Sequence, residues 1–400
     1  RIRRRAVVRQ RRSGTELHHA AKARRIPLLR IKDVRRDAEV VVELAVAEAA
    51  VLGEETDELY VKAVLAEAVN PSAIPQVADS LSVVYTPLHG TGYRLVPEVL
   101  RRCGLKQLYT VEEQCVNDGD FPTVVKPNPE YPAAFELGQK LADRVGSDLI
   151  VATDPDADRV GVMTRKKDGS FTVITGNQMG ALLLDYIIRA HEQNRTMPPE
   201  PYAVKSIVST SLAAKICRAH NVTMYDVLTG FKFIGEVMEQ HTRSGHGSFL
   251  LGFEESYGYL KGTYARDKDA VVSAMLICEM AAYYKTRHMT LYDALESLFA
   301  TYGYHREFND EIYMEGLEGQ GKIKALLDGM RSCPPAAFGD AAVARVGDFQ
   351  SGFFLDVKTG EKTPTGLPLS NVLYYTLENE DVIVARPSGT EPQPSRASRQ

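Results

Sequence analysis

Three features of the 400-residue sequence predict an α/β protein, with successive three-layer α/β domains followed by a C-terminal α+β domain. Apolar strand runs alternate with amphipathic helical runs over residues 80–298, the signature of parallel βαβ units. Most strand runs end in Gly-, Pro- or Asp-rich turns, where α/β proteins place ligands. Past Tyr304 the pattern changes to short strand runs with one helix, a smaller α+β domain.

Taken in order, residues 1–36 show neither a helical nor a strand period. Asp37 to Leu52 and Thr56 to Val69 read as helices, the second with its apolar residues on one face. LSVVYTP (81–87) is a buried strand, followed by HGTG (89–92) and a helix carrying Leu95, Val96, Val99 and Leu100. LYTVEEQ (108–114) is the next strand, and a Pro-rich turn (121–132) leads into the helix AAFELGQKLADRVG and the strand DLIVATD (148–154). A second unit follows: helix 176–193, strand 202–210, helix 212–221, strand 223–230, helix 231–241, strand 247–256, and a long helix from Asp267 to Lys285. In the last part, KIKALLDGMRS reads as a helix, and VLYYTLENEDVIVARP as a hairpin turning near Asn379 and Glu380.

Composition narrows the function classes. The chain is 44% hydrophobic and 25% charged. It has no run of about 18 apolar residues, so no membrane helix is expected. Its five cysteines are widely spaced and never form C-x-x-C, which argues against a disulfide framework or a thiolate zinc site and for a cytoplasmic location. The net charge of −4 conceals a balance of +12 in residues 1–36 and −16 in the rest. The basic segment lacks interleaved aromatics and a nucleic-acid motif, so nucleic acid is not expected as a partner.

Five strand-end motifs carry the candidate chemistry. In ATDPDADR (152–159), Asp154, Asp156 and Asp158 alternate after an apolar strand, which points three carboxylates the same way. Converging anions need a cation between them, and oxygen-only ligation selects a hard one such as Mg²⁺. An EF-hand loop counted from Asp154 would need Gly and Glu where Arg159 and Arg165 stand; a nucleotide-sugar D-x-D site and a solvated acidic turn remain alternatives. In RPSGTEP (386–392), Arg386 supplies a fork for phosphate, Ser388 and Thr390 supply hydroxyls, and Gly389 admits close backbone approach. GFEESYGY (252–259) presents Glu254, Glu255 and Ser256 as acceptors for sugar hydroxyls, or as an acidic helix start. TGFKFIG (229–235) carries Lys232, and ARDKD (265–269) places Arg266 and Lys268 near a helix N-terminus, unfavourable to the dipole unless an anion binds there.

In this order the five motifs resemble the α-D-phosphohexomutase superfamily, most closely its phosphoglucomutase/phosphopentomutase branch. YTPLHGTG (85–92) and FPTV…PNPE (121–130) resemble its second-domain signatures, and the resemblance runs from about Leu52 to Pro392. It implies a four-domain isomerase that interconverts sugar 1-phosphates and 6-phosphates, glucose first, through glucose 1,6-bisphosphate. It implies Mg²⁺ on Asp154, Asp156 and Asp158 with Arg159 beside it, and Glu254 and Ser256 reading sugar hydroxyls. Arg386, Ser388, Gly389 and Thr390 clamp the phosphate not being transferred, while Lys232, Arg266 and Lys268 face substrate, Lys268 as a candidate for proton transfer. The family's donor serine lies in a T-x-S-H-N-P-type loop, and no such run occurs in this sequence. The expectation is therefore a mostly missing first domain (1–51), a metal-loop domain (52–185), a sugar-binding domain (186–300) and a phosphate-binding domain (301–400). Residues 393–400 depart from the family's closing strand. Two outcomes are open: a phosphosugar mutase, inactive as written for want of the serine, or a non-catalytic protein binding phosphosugar and Mg²⁺.

Overall fold

The structure, a computed structural model, describes residues 24–30, 43–49, 53–308 and 316–387. The chain divides into two compact units, Arg1–Lys62 and Ala63–Gln400. In the first, β1 (Arg24–Arg30) and β2 (Glu43–Ala49) pair antiparallel, with Leu29 opposite Leu44. The described part of the helix expected over 37–52 is thus a strand. ELAVAEA suits either state, because a two-residue alternation of Leu44 and Val46 coexists with good helix formers, and a pairing partner decides between them. Helix α1 (Glu54–Leu65) follows.

The second unit begins with α2 (Ala73–Gln76), β3 (Ser82–Thr86), α3 (Gly92–Arg102), β4 (Gln107–Thr110), α4 (Glu136–Val145), β5 (Leu149–Thr153), β6 (Val160–Arg165) and β7 (Phe171–Ile174). The sheet order is β4-β3-β5-β6-β7. β3 is parallel to β4 and β5, whereas β6 and β7 run antiparallel. The sequence reading missed those two strands, because the polar D-P-D-A-D loop between β5 and β6 masks a hairpin turn. Strand residues alternate between faces: Val84, Ile150 and Ala152 meet Ala142 of α4 and Phe135, and Val83, Tyr85 and Val151 are buried on the other side.

The next sheet comes from α5 (Gly176–Asn194), β8 (Pro201–Ser206), α6 (Leu212–Ala219), β9 (Thr223–Val227), α7 (Phe231–Ser244), β10 (Ser248–Phe253) and β11 (Tyr259–Leu260). Its order is β11-β10-β8-β9, with β10, β8 and β9 parallel. Val204 and Val227 pack on Phe231, Ile234 and Met238 of α7. Helix α8 (Ala270–Lys285) is buried along Ala270–Ala282 and is apolar all round, as a helix enclosed by other elements must be. It touches α2, α3, α5, β6, β11 and α9 (Leu291–Tyr302), so it ties the two sheets together.

The C-terminal part holds α10 (Gly316–Ser332), β12 (Ala337–Phe338), β13 (Ala341–Asp348), β14 (Phe353–Asp356), β15 (Lys362–Pro364), β16 (Leu373–Leu377) and β17 (Val382–Ala385). Its strands form an antiparallel sheet, order β15-β14-β13-β16-β17, with β12 on β13. The expected hairpin is β16–β17, and Glu380 takes a left-handed φ of 70° in its turn. One cluster joins Leu327 of α10 to Val343, Leu373 and Tyr375. Another sets Phe349 and Val372 against Ile207 and Leu228, so this sheet docks where β8 and β9 end.

Ile150, fully buried in β5, is the test of this core. Ile150→Ala is expected to lower unfolding stability by about 2–5 kcal/mol in urea. Leu326→Ala, on the exposed side of α10, is expected to stay within about 0.5 kcal/mol.

Candidate active site

The loop of Asp154, Asp156 and Asp158 is held in shape by main-chain bonds. Asp154 follows β5, and its carbonyl accepts the N–H of Ala157 at 3.1 Å, while Ala157 takes a φ of 58°. Oδ1 of Asp154 accepts the N–H groups of Asp158 at 3.1 Å and Arg159 at 2.9 Å. Asp154 is 7% exposed, Asp156 is exposed and Asp158 half-buried. One carboxylate oxygen from each lies within 4.8 Å of the others. A set of carboxylate oxygens with no sulfur or nitrogen donor suits a hard cation, and Asp154, Asp156 and Asp158 are the residues that would hold one. Burial pushes the Asp154 carboxyl up to about 7; the Arg159 N–H opposes this, and Asp158 and Asp156 reinforce it.

HGTG supports the loop from behind. The N–H of Thr91 donates to the Pro155 carbonyl at 2.8 Å. A Cβ on Gly90 would lie 2.3 Å from the Pro155 Cα, so only glycine allows this approach. His89 ties down the neighbouring segment. Its Nδ1 is 3.0 Å from the Val116 carbonyl, which can only accept, so Nδ1 carries the proton and Nε2 accepts from the Thr123 hydroxyl at 2.8 Å.

The other motifs converge on the same loop. Arg159 forms an antiparallel bridge with Gly258, and the Val160 N–H donates to the Tyr257 carbonyl at 3.0 Å, which joins the aspartate loop to the end of GFEESYGY. The Ala270 N–H, in the first turn of α8, donates to the Ala157 carbonyl at 3.1 Å. Lys268 places Nζ 2.9 Å from Asp158 Oδ2 and 2.9 Å from Asp267 Oδ1. Burial works against the Lys268 charge, but these carboxylates outweigh it and raise its pKa. A Cβ on Gly258 would lie 2.2 Å from Lys268 Cδ, so that glycine makes room for the lysine stem. Arg159 reaches Glu130 Oε1 at 3.1 Å and stands 3.8 Å from both Asp154 and Asp158.

Glu254, 5% exposed, accepts the Gly230 N–H on Oε1 at 2.6 Å, which links GFEES to TGFKFIG. Burial raises its pKa. Ser256 is half-buried in the same loop. Arg386 Nη2 lies 3.7 Å from Glu255 Oε1, which brings the end of β17 to this loop. Lys232 is exposed at the start of α7, its Nζ 5.0 Å from the Phe233 ring centroid. Arg266 turns to the carbonyls of Thr263 (2.6 Å) and Ala265 (3.1 Å) and to Glu239 and Thr242 of α7, away from the carboxylate cluster. Ser388, Gly389 and Thr390 lie outside the described residues.

Sequence reasoning did not single out Glu130, although it closes the PNPE motif, or Lys205, whose charge interrupts the apolar run YAVKSIV. Lys205 is 4% exposed and its Nζ lies 2.8 Å from Asp226.

The described second unit thus holds two α/β sheets whose strand-end loops meet at a carboxylate cluster, with an antiparallel C-terminal sheet docked beside them. Comparison with known proteins agrees. Residues 58–169 match phosphoglucomutase/phosphomannomutase α/β/α domain II and residues 175–302 match domain III, together more than half of the chain. The chain belongs to the phosphoglucomutase/phosphomannomutase family, enzymes of the phosphotransferase and isomerase type. It is 39% identical over 315 residues to a phosphoglucomutase of Staphylococcus aureus, covering 79% of this chain and 56% of that protein. A Staphylococcus epidermidis phosphoglucomutase is 39% identical over 325 residues, covering 80% and 57%. The chain thus spans little more than half the length of these relatives. Its fold is similar to the open form of the Paramecium phosphoprotein parafusin, a phosphoglucomutase, with a TM-score of 0.56, 15% identity, and coverage of 90% of this chain and 58% of that one. A phosphoglucomutase/phosphomannomutase family protein from Burkholderia thailandensis gives a TM-score of 0.51 at 17% identity, covering 85% and 62%. Among the described residues no helix is long and apolar enough to cross a membrane.

The Asp154 shift has a stability consequence. Its folded pKa of about 7 exceeds the ordinary 3.8, so the folded chain binds more protons than the unfolded chain between those values. The contribution to stability is full below about pH 4 and is lost as the pH rises through about 7. Without metal, Asp154→Asn keeps an acceptor for both N–H groups and is expected to melt above the parent at about pH 8, the gap closing towards about pH 4, by thermal unfolding in EDTA.

Proposed function

We propose that this chain forms the metal-, sugar- and phosphate-binding parts of a phosphosugar mutase that interconverts sugar 1-phosphate and sugar 6-phosphate, glucose first, through glucose 1,6-bisphosphate. The observation that carries the reading is the meeting of the Asp154, Asp156 and Asp158 cluster with Lys268, Arg159 and the Glu254 loop. Phosphoryl transfer is governed by positioning and charge, and the site supplies both. Bound Mg²⁺ would neutralise charge on the transferring group. Asp154, Asp156 and Asp158 hold it, and Arg159 and Lys268 line the same edge as cations, Lys268 also able to pass a proton. Glu254 keeps Oε2 for a sugar hydroxyl while Oε1 is held by Gly230, and Ser256 stands beside it. Lys232 flanks the substrate side, and Arg266, expected there as well, braces the loop that carries Lys268. Arg386, with Ser388, Gly389 and Thr390, grips the phosphate that stays. The reading places the protein in the cytoplasm, supported by five free cysteines, with a phosphorylated sugar as its partner and no nucleic acid.

A second reading, confined to these 400 residues taken alone, is binding of phosphosugar and Mg²⁺ without turnover, since they hold no T-x-S-H-N-P run of their own to supply a donor serine. Ser209, another serine near the site, is bonded to Ser206 and Glu255 rather than facing the metal loop.

Two measurements test these readings. By titration calorimetry on the full chain, Asp156→Ala is expected to weaken Mg²⁺ binding on the order of tenfold to a hundredfold or more, since even outer-shell changes reach that range. Asp168→Ala, beyond the loop, is expected to leave binding unchanged. Equal affinity in parent and Asp156→Ala overturns the metal assignment. In a coupled assay from glucose 1-phosphate to glucose 6-phosphate, with bisphosphate and Mg²⁺ present, the 400-residue chain alone is expected to turn over below about 1 s⁻¹, the low end of enzyme rates. Faster turnover would show that a donor is present and overturn the binding-only reading.

A further inference from the structure

Glu255 is the middle residue of the Glu254-Glu255-Ser256 run, and its side chain bonds Ser206, whereas that of Glu254 bonds Gly230. Its Oε2 accepts the hydroxyl of Ser206 at 2.9 Å, and the Ser209 hydroxyl lies 3.4 Å from the same oxygen. The two hydroxyls are 2.8 Å apart, and the Ser209 N–H donates to the Ser206 carbonyl at 3.0 Å, so one tight turn after β8 presents both. Lys205 staples that turn from beneath. Its buried Nζ donates to the carbonyls of Ser206 at 3.3 Å and Ser209 at 3.2 Å and pairs with Asp226 at 2.8 Å, which uses all three of its protons. The carboxylate of Glu255 is thus fixed in position, and its other oxygen, Oε1, stands 3.7 Å from Nη2 of Arg386. The apolar contact of Ile207 and Leu228 with Phe349 and Val372 holds the C-terminal sheet at the same place.

We propose that Glu255 is a positioning residue for Arg386: held by the Lys205-stapled turn, it draws the guanidinium to the sugar loop and leaves its N–H groups free for a phosphate. The distance argues for guidance rather than competition. A guanidinium committed to a carboxylate sits at about 2.7–2.9 Å, commonly through two bonds. At 3.7 Å the attraction orients Arg386 without consuming its donors. The inference rests on the reading of Arg386 as a phosphate ligand.

The test is a double-mutant cycle on the full chain, with glucose 1-phosphate as the calorimetric probe and thermal unfolding as the control. Arg386→Ala is expected to weaken binding on the order of tenfold to a hundredfold. Glu255→Gln keeps the shape and the hydroxyl partners, and is expected to weaken binding by about threefold to tenfold in the parent and to have no effect beside Arg386→Ala. A merely structural role would not produce that coupling. Ser206→Ala with Ser209→Ala, which loosens Glu255 without changing charge, is expected to reproduce part of the loss. If Arg386→Ala weakens binding while Glu255→Gln leaves it unchanged, tightens it or adds independently, the positioning role is overturned and the phosphate reading survives. If Arg386→Ala binds like the parent, both fall.

Discussion

The site depends on how negative charge is gathered and held where β5 and β10 end. Asp154, Asp156, Asp158, Glu130, Glu254 and Glu255 meet there with Arg159, Lys268 and Arg386 as their cations. Carboxylates this close repel, and burial removes the water that would screen them. The raised pKa of Asp154 is the direct trace of that burial. Five of the six have a donor in place: two main-chain N–H groups on Asp154, Lys268 on Asp158, Arg159 on Glu130, the Gly230 N–H on Glu254 and the Ser206 hydroxyl on Glu255, while Asp156 is exposed to water.

This compensation is possible only because backbones approach closely. Gly90 lets the segment after β3 lie against Pro155, and Gly258 leaves room for the Lys268 stem beside the bridge to Arg159. Helix α8 adds the longer-range constraint. Its buried body packs between the two α/β sheets, and its first turn donates to the Ala157 carbonyl. The loop geometry is therefore tied to the hydrophobic core.

Much of the site was legible because short motifs at strand ends have local causes. Alternating aspartates after an apolar strand have one face to share, and the structure brings their oxygens together. The helical period of α5, α7 and α8 was equally readable, since burial of one side or of all sides leaves a sequence record. The strands β6 and β7 were not, because the aspartates of the turn between β5 and β6 draw the reading to ligand binding and hide the hairpin. The run ELAVAEA misled for a related reason: it satisfies helix and strand alike, and pairing with β1 made the choice.

What the sequence by itself determined was the α/β class, the order of most elements and the identity of the carboxylates, because periodicity and residue chemistry are properties of neighbours along the chain. What only the tertiary structure decided was which partners those side chains meet. Lys268 on Asp158, Glu130 on Arg159, the Ser206–Ser209 turn on Glu255 and Arg266 on Glu239 are contacts between segments distant in sequence. They exist because sheet packing brings separate strand ends to one place, and no local pattern encodes a distance between segments that meet only after the core has formed.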